Sequence, residues 1–318
     1  MKRAAFLTAS AAGLVAFPAR AHSQGLTKIR IGASANGDSI GSLWGAQSGI
    51  FQKYGLDVEI LRMNNGASVS AAVIGGSLEM GKGSLFILIG AHAKGVPIVL
   101  EAASNVYHSD APDAAMVVAM NSPVRTPRDL NGKVIAVPSL GDFYAVVSVA
   151  WIDQRGGDSR TVKVLELPNV ATTAAIVDGR VDAAMLAEPL LADSIQSGKC
   201  RILGYPHQVL GSRSISTAYF CNTAFAQQNV AALTRFRKGL DEASAYVNAH
   251  PAEMIPVLAK YTGIDIKTVA SMTPNSLGST AQLLDPRLVQ PTIDFAQHYK
   301  AIPKSFPARE LIDPNAFI

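Results

Sequence analysis

Five short loops rich in glycine and serine carry most of the side chains that could bind a ligand. Each lies where a predicted strand gives way to a helix, so free backbone N–H groups and the positive end of a helix dipole share one space. This chemistry predicts a small organic anion, a sulfonate or a carboxylate, as the ligand. The candidate ligand-binding residues are Ser34, Asn36, Asp38, Ser39, Gly66, Ala67, Ser68, Lys82, Ser84, Tyr107, Ser139, Gly141, Asp142, Phe143, Glu188 and Tyr219.

Helix capping is the alternative for the short polar residues among these candidates, because serine and aspartate are common N-caps. A carboxylate repels an anionic ligand, so we expect Asp38 and Asp142 to cap their own helices. Asp38 could instead meet a ligand amine or hydroxyl. For Ser34 and Ser139, capping and ligand contact both stay open.

Lys82 could supply the counter-charge to a carboxylate or sulfonate, although a solvated side chain is the usual state of lysine. Residues 76–82 imitate a phosphate-binding loop, but Gly83 replaces the required serine or threonine and the segment runs from helix to strand. Glu188 lies either at the rim of the site or within it. Four aromatic residues could stack on a planar ligand or pack in the core: Tyr107, Phe143, Tyr144 and Tyr219.

The elements that must position these loops occur twice in the chain. Residues 28–34 (KIRIGAS) resemble residues 133–139 (KVIAVPS), and a Gly-Asp pair follows each copy. Residues 71–79 parallel residues 174–182 at almost the same offset. Strands alternating with helices predict one α/β lobe per copy. Two such lobes enclose a cleft, which is where small ligands bind.

The predicted fold class is therefore α/β, with two doubly wound lobes joined by a two-strand hinge. We expect lobe 1 to contain residues 22–118 and 218–318 and lobe 2 residues 119–217, with crossings at about residues 116–120 and 215–220. Apolar residues recur at helical spacing from Leu233 to Val247. This helical tail has no counterpart in the second copy, so we expect it to pack on lobe 1.

The first residues predict an exported protein. A basic start, an apolar stretch and Ala19-Arg20-Ala21 are typical of a secretory signal cleaved near Ala21, which makes residues 1–21 the signal and the location periplasmic. Without the three basic residues of this segment, 25 basic residues face 24 acidic ones. That balance predicts no nucleic-acid partner.

Cofactor chemistry has little basis in the composition. The six histidines show no spacing typical of metal ligands, so we expect no metal and no cofactor. We also expect the protein to be a monomer. Cys200 and Cys221 could form a disulfide in an oxidising compartment or remain two separate buried thiols.

Four segments carry a family resemblance: Lys28–Gly32, Gly49–Glu59 (GIFQKYGLDVE), Leu130–Pro138, and Asp182–Met185 followed by Glu188-Pro189. Together they resemble the substrate-binding proteins of ABC importers, in the group that serves nitrate, sulfonate, taurine and thiamine precursors. The resemblance implies the type II periplasmic binding fold, with lobes that close over the ligand, and a membrane permease with its ATPase as partners. Glu79 and Lys82 depart from the group's usual Asp and apolar residue.

Three alternatives remain beside an importer component for an organic anion. The same cleft would serve a ligand-sensing protein that presents its closed form to a membrane receptor. It would also serve a binder of thiamine-pyrimidine-type ligands. An enzyme is the third alternative, because pyrimidine synthases share this fold, but their Cys-rich iron motif has no equivalent here and no nucleophile motif is present. We therefore expect no catalytic activity.

Overall fold

The computed structural model describes residues 25–140 and 142–317. The predicted signal at residues 1–21 and the candidate residue Gly141 lie outside the described residues. No helix in the described ranges is both long and apolar enough to cross a membrane.

The described residues form ten strands in two sheets. They are β1 (Thr27–Ser34), β2 (Leu56–Met63), β3 (Met80–Ser84), β4 (Ile98–His108), β5 (Ala114–Ala119), β6 (Val134–Val137), β7 (Lys163–Glu166), β8 (Ala183–Ala187), β9 (Cys200–Gly204) and β10 (Arg213–Asn222). The first sheet has the strand order β2-β1-β3-β10-β4, and the second has the order β7-β6-β8-β5-β9. We call the first sheet, with the helices packed on it, lobe 1, and the second sheet, with its helices, lobe 2. The two five-stranded sheets confirm the predicted α/β class.

Helices follow most of the strands and cover the faces of both sheets. They are α1 (Ile40–Gln47), α2 (Ile50–Lys53), α3 (Gly66–Ile74), α4 (Leu85–Ala93), α5 (Phe143–Gln154), α6 (Asn169–Val177), α7 (Leu190–Gln196), α8 (Thr223–Gln228), α9 (Val230–Ala249), α10 (Pro251–Thr262), α11 (Ile266–Ser271), α12 (Thr280–Leu283) and α13 (Pro286–His298).

The two copies of the sequence repeat occupy equivalent places. β1 pairs in parallel with β2 and β3, and β6 pairs in parallel with β7 and β8. The last residue of each repeat accepts a hydrogen bond from the backbone of the copy's first strand: Arg30 N donates to Glu79 and Val134 N donates to Asp182, both at 2.9 Å. Glu79 therefore has a structural role that Asp182 repeats in lobe 2.

The chain passes between the sheets earlier than the sequence predicted. It leaves the first sheet after His108, enters the second at Ala114, and returns between Gly204 and Arg213. The expected crossings at residues 116–120 and 215–220 fall almost entirely within β5 and β10. Each of these strands pairs with a neighbour on both sides and is therefore buried inside its sheet. Burial of this kind explains an apolar run without a hinge.

Helix α9 of the C-terminal tail packs on lobe 1. Helix α9 carries a buried face that includes Phe236 and Leu240, and these residues share a core with Ile29 and Ile31 of β1. The ring of Phe236 stacks on Phe51, with centroids 5.5 Å apart.

The two cysteines lie in different sheets. Cys200 begins β9 in lobe 2 and Cys221 lies near the end of β10 in lobe 1, and both are buried free thiols. A disulfide between them is therefore absent. The Cys221 thiol donates to Glu101 at 3.2 Å, and burial raises its pKa well above the usual range.

A buried ion network anchors the tail to the first sheet. The Arg237 guanidinium of α9 contacts the carboxylates of Glu101 and Asp313 and donates to the carbonyl oxygen of Asn315 at 3.1 Å. All three charged side chains are at most 6% exposed. Burial raises the pKa of Glu101 to about 7. One cation thus serves two buried carboxyl groups, which makes Arg237 hard to replace.

Replacing this cation tests the network. Arg237→Met should lower the free energy of unfolding by about 3–5 kcal/mol, because it leaves two buried carboxyl groups without a cationic partner. Thermal unfolding measures the effect. Lys238→Met, at the exposed neighbouring position on the same helix, is the matched control and should change stability little. Equal effects of the two substitutions would contradict the proposed anchoring.

Candidate functional site

A cleft lies between the lobes at the carboxyl ends of β1, β2 and β3 in lobe 1 and of β6 and β8 in lobe 2. This edge is where open α/β sheets bind ligands. The enclosed space is about 80 Å³, and one water needs roughly 10–15 Å³ by the same measure. The cleft therefore has room for several waters or one small molecule.

Ten of the sixteen candidate residues line this cleft. Ser39, Ala67, Ser68, Tyr107 and Tyr219 are not among its lining, and Gly141 lies outside the described residues. The structure thus brings together candidates from both copies of the repeat. The ten lining candidates are Ser34, Asn36, Asp38, Gly66, Lys82, Ser84, Ser139, Asp142, Phe143 and Glu188.

The candidates outside the cleft have structural contacts instead. Ser39 donates to the carbonyl oxygen of Ser34 at 3.1 Å. Ser68 forms a capping box with Asn65 at the start of α3, so its side chain and its N–H are both engaged. Tyr219 packs edge-on against Phe236 in the core of lobe 1, with centroids 5.7 Å apart.

Lys82 is not a solvated side chain, contrary to the expectation. It is 2% exposed and its ammonium group pairs with Asp38. Asp38 in turn accepts from the Thr217 hydroxyl at 2.9 Å and caps no helix through its side chain. The reason is topological, because β3 lies between β1 and β10 and this places Lys82 beside the loop that carries Asp38.

Asp113 is a buried carboxylate of the cleft that the sequence did not single out. Its Oδ2 accepts from the side-chain amides of Asn105 at 2.6 Å and Asn275 at 2.8 Å. Burial, the largest cause, raises its pKa. No lysine, arginine or histidine nitrogen of the described residues lies within salt-bridge distance of it. Its charge is thus solvated by amides alone.

Glu188 caps α7 and bridges to the tail. Its carboxylate accepts from the backbone N–H groups of Ala192 at 3.0 Å and Thr273 at 3.2 Å. Burial raises its pKa to about 7 despite these hydrogen bonds. Glu188 therefore lines the cleft and holds its rim, and its contact with a ligand stays a prediction.

Asp142 caps its own helix, as expected. Its side chain accepts from the Phe143 N–H at the start of α5. Burial raises its pKa to about 6. With Glu188 on α7 and Asn65 on α3, three of the helix N-termini at this edge are satisfied by the protein's own side chains.

An aromatic wall closes one side of the cleft. The His207 imidazole stacks on Tyr107 with centroids 4.4 Å apart and lies 4.3 Å from the Phe143 ring. Burial lowers the pKa of His207 to about 3, so the ring is neutral. Neither ring nitrogen has a hydrogen-bond partner in the described part of the chain. Tyr107 therefore does not line the cleft itself but packs against His207, which does.

The lobes touch across the mouth of the cleft. The backbone N–H of Gly37 donates to the carbonyl oxygen of Glu188 at 3.3 Å, and the Asn169 amide donates to Asn36 at 3.4 Å. A Cβ atom on Gly37 would lie 2.0 Å from the Asn275 side-chain oxygen and 3.5 Å from the Glu188 carbonyl oxygen. Glycine at this position therefore leaves room for the Asn275 side chain, and the Glu188 carbonyl oxygen would meet a Cβ at ordinary contact distance.

Several lining residues had no signal in the sequence. Asn105 and Thr217 lie in long strands, His207 and Asp113 lie in the passages between sheets, and Asn275 comes from the tail. A buried asparagine within the apolar run of β4 was the one available hint, because a buried amide must find a partner.

Comparisons with known proteins identify the fold. A family model described as "NMT1/THI5 like" matches residues 36–254. A Brucella abortus protein described as a binding protein is 25% identical over 292 residues, which cover 89% of this chain and 86% of that protein.

Solved structures agree. The alkanesulfonate-binding protein of Xanthomonas axonopodis pv. citri, bound to MOPS, has a TM-score of 0.75 at 21% identity and covers 90% of this chain and 98% of that one. The periplasmic nitrate-binding protein of Synechocystis PCC 6803 has a TM-score of 0.76 at 13% identity, with coverages of 91% and 86%. These likenesses confirm the predicted fold.

The raised pKa of Asp142 gives a pH-dependent prediction. The folded protein holds this proton more tightly than the unfolded chain, so stability falls as pH rises from about 4 to about 6 and stays lower above. Asp142→Asn keeps an N-cap and removes the charge. It should raise the free energy of unfolding by about 1–2 kcal/mol at pH 8 and by little at pH 4.

Denaturant unfolding at the two pH values measures this difference. Asp57→Asn, at an exposed position on β2, is the control. A stabilisation of Asp142→Asn that was the same at pH 4 and pH 8 would show that the carboxylate charge is not its cause.

Proposed function

The chain belongs to the NMT1/THI5-like family, and from this membership and the cleft we propose that it is the solute-binding component of an ABC importer. It binds a small molecule between its lobes and delivers it, as a monomer in the periplasm, to a membrane permease with a cytoplasmic ATPase. The fold-level relatives named for sulfonate and nitrate binding support this role.

One observation carries the proposal. Polar side chains from both lobes converge on one cleft, and backbone and side-chain hydrogen bonds join the lobes across its mouth. Such a site can exist only when the lobes are together. Ligand binding is then linked to lobe closure, and a permease can distinguish the closed form from the open form.

The other roles have less support. The relatives are named as binding proteins, which gives the enzyme alternative no basis in the comparisons. Within the described ranges, no carboxylate bonds to the His207 ring to orient it as a base. A sensor for a membrane receptor would use the same cleft, and only the partner protein distinguishes the two.

The sequence predicted an organic anion as the solute. The sulfonate- and nitrate-binding relatives favour an anionic solute. The start of α4 also favours one, because its N-cap residue Ser84 forms no side-chain hydrogen bond to the helix. The four carboxyl groups that line the cleft oppose it. A screen must therefore include solutes of both charges.

Thermal unfolding of the exported protein against sulfonates, carboxylates, nitrate, pyrimidines and amines tests the proposal. A solute at about 100 times its Kd should add roughly 2.7 kcal/mol of stability, a shift of a few degrees. Small-angle scattering should show a more compact protein with that solute. No stabilisation by any solute class would argue against a binding protein.

A larger side chain at Gly37 tests the link between solute binding and lobe closure. Gly37→Val should place a Cβ atom 2.0 Å from the Asn275 side-chain oxygen and 3.5 Å from the Glu188 carbonyl oxygen. Its methyl groups should crowd both neighbours and push the loop away from Glu188, so the solute's affinity should fall at least tenfold while the lobes still fold. Titration calorimetry measures the affinity. Gly90→Val is the control, since nothing lies within 4 Å of a Cβ there. Unchanged affinity in the Gly37 variant would show that this contact is not needed for binding.

A further inference from the structure

The charges that line the cleft do not match an anionic solute. Four carboxyl groups face one cationic side chain, Lys82, among the described residues of the lining. The carboxyl groups belong to Asp38, Asp113, Asp142 and Glu188.

Lys82 is already neutralised by the protein. Its ammonium group contacts Asp38 in a buried pair, and the Thr217 hydroxyl donates to the same carboxylate. A ligand anion would have to draw Lys82 away from Asp38 and leave a buried carboxylate behind. Breaking a buried pair in this way is strongly unfavourable.

Two helix N-termini that the sequence assigned to an anion are also occupied. Asp142 accepts from the first N–H of α5, and Glu188 accepts from Ala192 in α7. Each carboxylate takes the place that an anionic ligand would fill, and would repel it at close range.

Asp113 offers free acceptor atoms instead. Its Oδ2 accepts both side-chain amide hydrogen bonds, and no side chain of the described residues donates to its Oδ1. The amide nitrogens of Asn105 and Asn275 point at this carboxylate, which fixes the amide orientation, and the oxygens of both amides are buried without a partner. A buried acceptor without a donor calls for a donor from the ligand.

The aromatic wall suits the remainder of such a ligand. Phe143, Tyr144 and the neutral His207 line the cleft together. Aromatic faces attract cations and pack against flat carbon skeletons.

We propose, on the basis of the importer role above, that the solute is a small cation with nitrogen-bound hydrogens, of the amine or amidine class. Its N–H groups bind Asp113 Oδ1 and the Asn105 amide oxygen, and its carbon skeleton packs on Phe143 and Tyr144. The Lys82–Asp38 pair stays intact. The solute's positive charge then compensates the carboxylate for which the protein supplies no cation.

Three probes of nearly the same shape isolate the charge. Benzamidinium, benzamide and benzoate carry a positive, neutral and negative group on the same ring. Titration calorimetry at pH 7.5 should give at least tenfold tighter binding for benzamidinium than for benzoate, with benzamide between them.

Asp113→Asn tests the residue assigned to the charge. The Asn oxygen can keep both amide hydrogen bonds while its NH₂ group replaces the free Oδ1. Benzamidinium should bind at least tenfold more weakly to this variant and benzoate more tightly. Asp110→Asn, an exposed change three residues earlier in the same passage, should leave all three affinities unchanged. The unfolding temperature of each variant without a probe shows that it is folded.

The outcomes separate this inference from the importer role. Benzoate binding as tightly as benzamidinium, or no binding of any of the three probes, would overturn the cationic solute. So would an Asp113→Asn variant that is folded but keeps its preference for benzamidinium. The importer role would still stand if another solute of the broader screen stabilised the protein, and it would fall only if none did.

Discussion

The pairing of Lys82 with Asp38 is the interaction on which the rest of the cleft depends. Asp38 contacts Lys82 on β3 and Thr217 on β10 through its carboxylate, and its backbone carbonyl accepts from Ser104 on β4 at 2.9 Å. The first loop of lobe 1 is thus held by three strands of its sheet. Lys82 is the one lysine of the described lining, and Asp38 neutralises its charge. The net charge of the site is therefore set by the other carboxyl groups.

The fold was largely predictable because its signals are local or repeated. The alternation of strands with helices and the internal duplication depend on neighbouring residues, and α9 contains the stretch from Leu233 to Val247 that the sequence predicted as helical. The crossings were displaced because an apolar run has the same pattern whether it links two lobes or pairs within a sheet. β5 and β10 pair with neighbours on both sides, and only tertiary structure reveals that.

The site was predictable in position but not in charge. Loops at the carboxyl ends of parallel strands follow from topology, so Ser34, Asp38, Ser139 and Asp142 reached the cleft. Whether a helix N-terminus is free for a ligand depends on which side chain caps it. Glu188 shows the difficulty, because its carboxylate reaches both Ala192 and Thr273, and the second lies 85 positions along the chain.

Specificity in this fold need not follow from shape. The alkanesulfonate- and nitrate-binding structures share the architecture at 21% and 13% identity, and a common fold hosts different ligands through the side chains grafted on it. In this chain, Asp113, Asp142 and Glu188 would repel an anion as effectively as they would attract a cation. Burial raises the pKa of all three groups, because burial disfavours their charged forms. A positively charged ligand in contact with these groups would offset part of that cost, so the same groups would supply both selectivity and affinity.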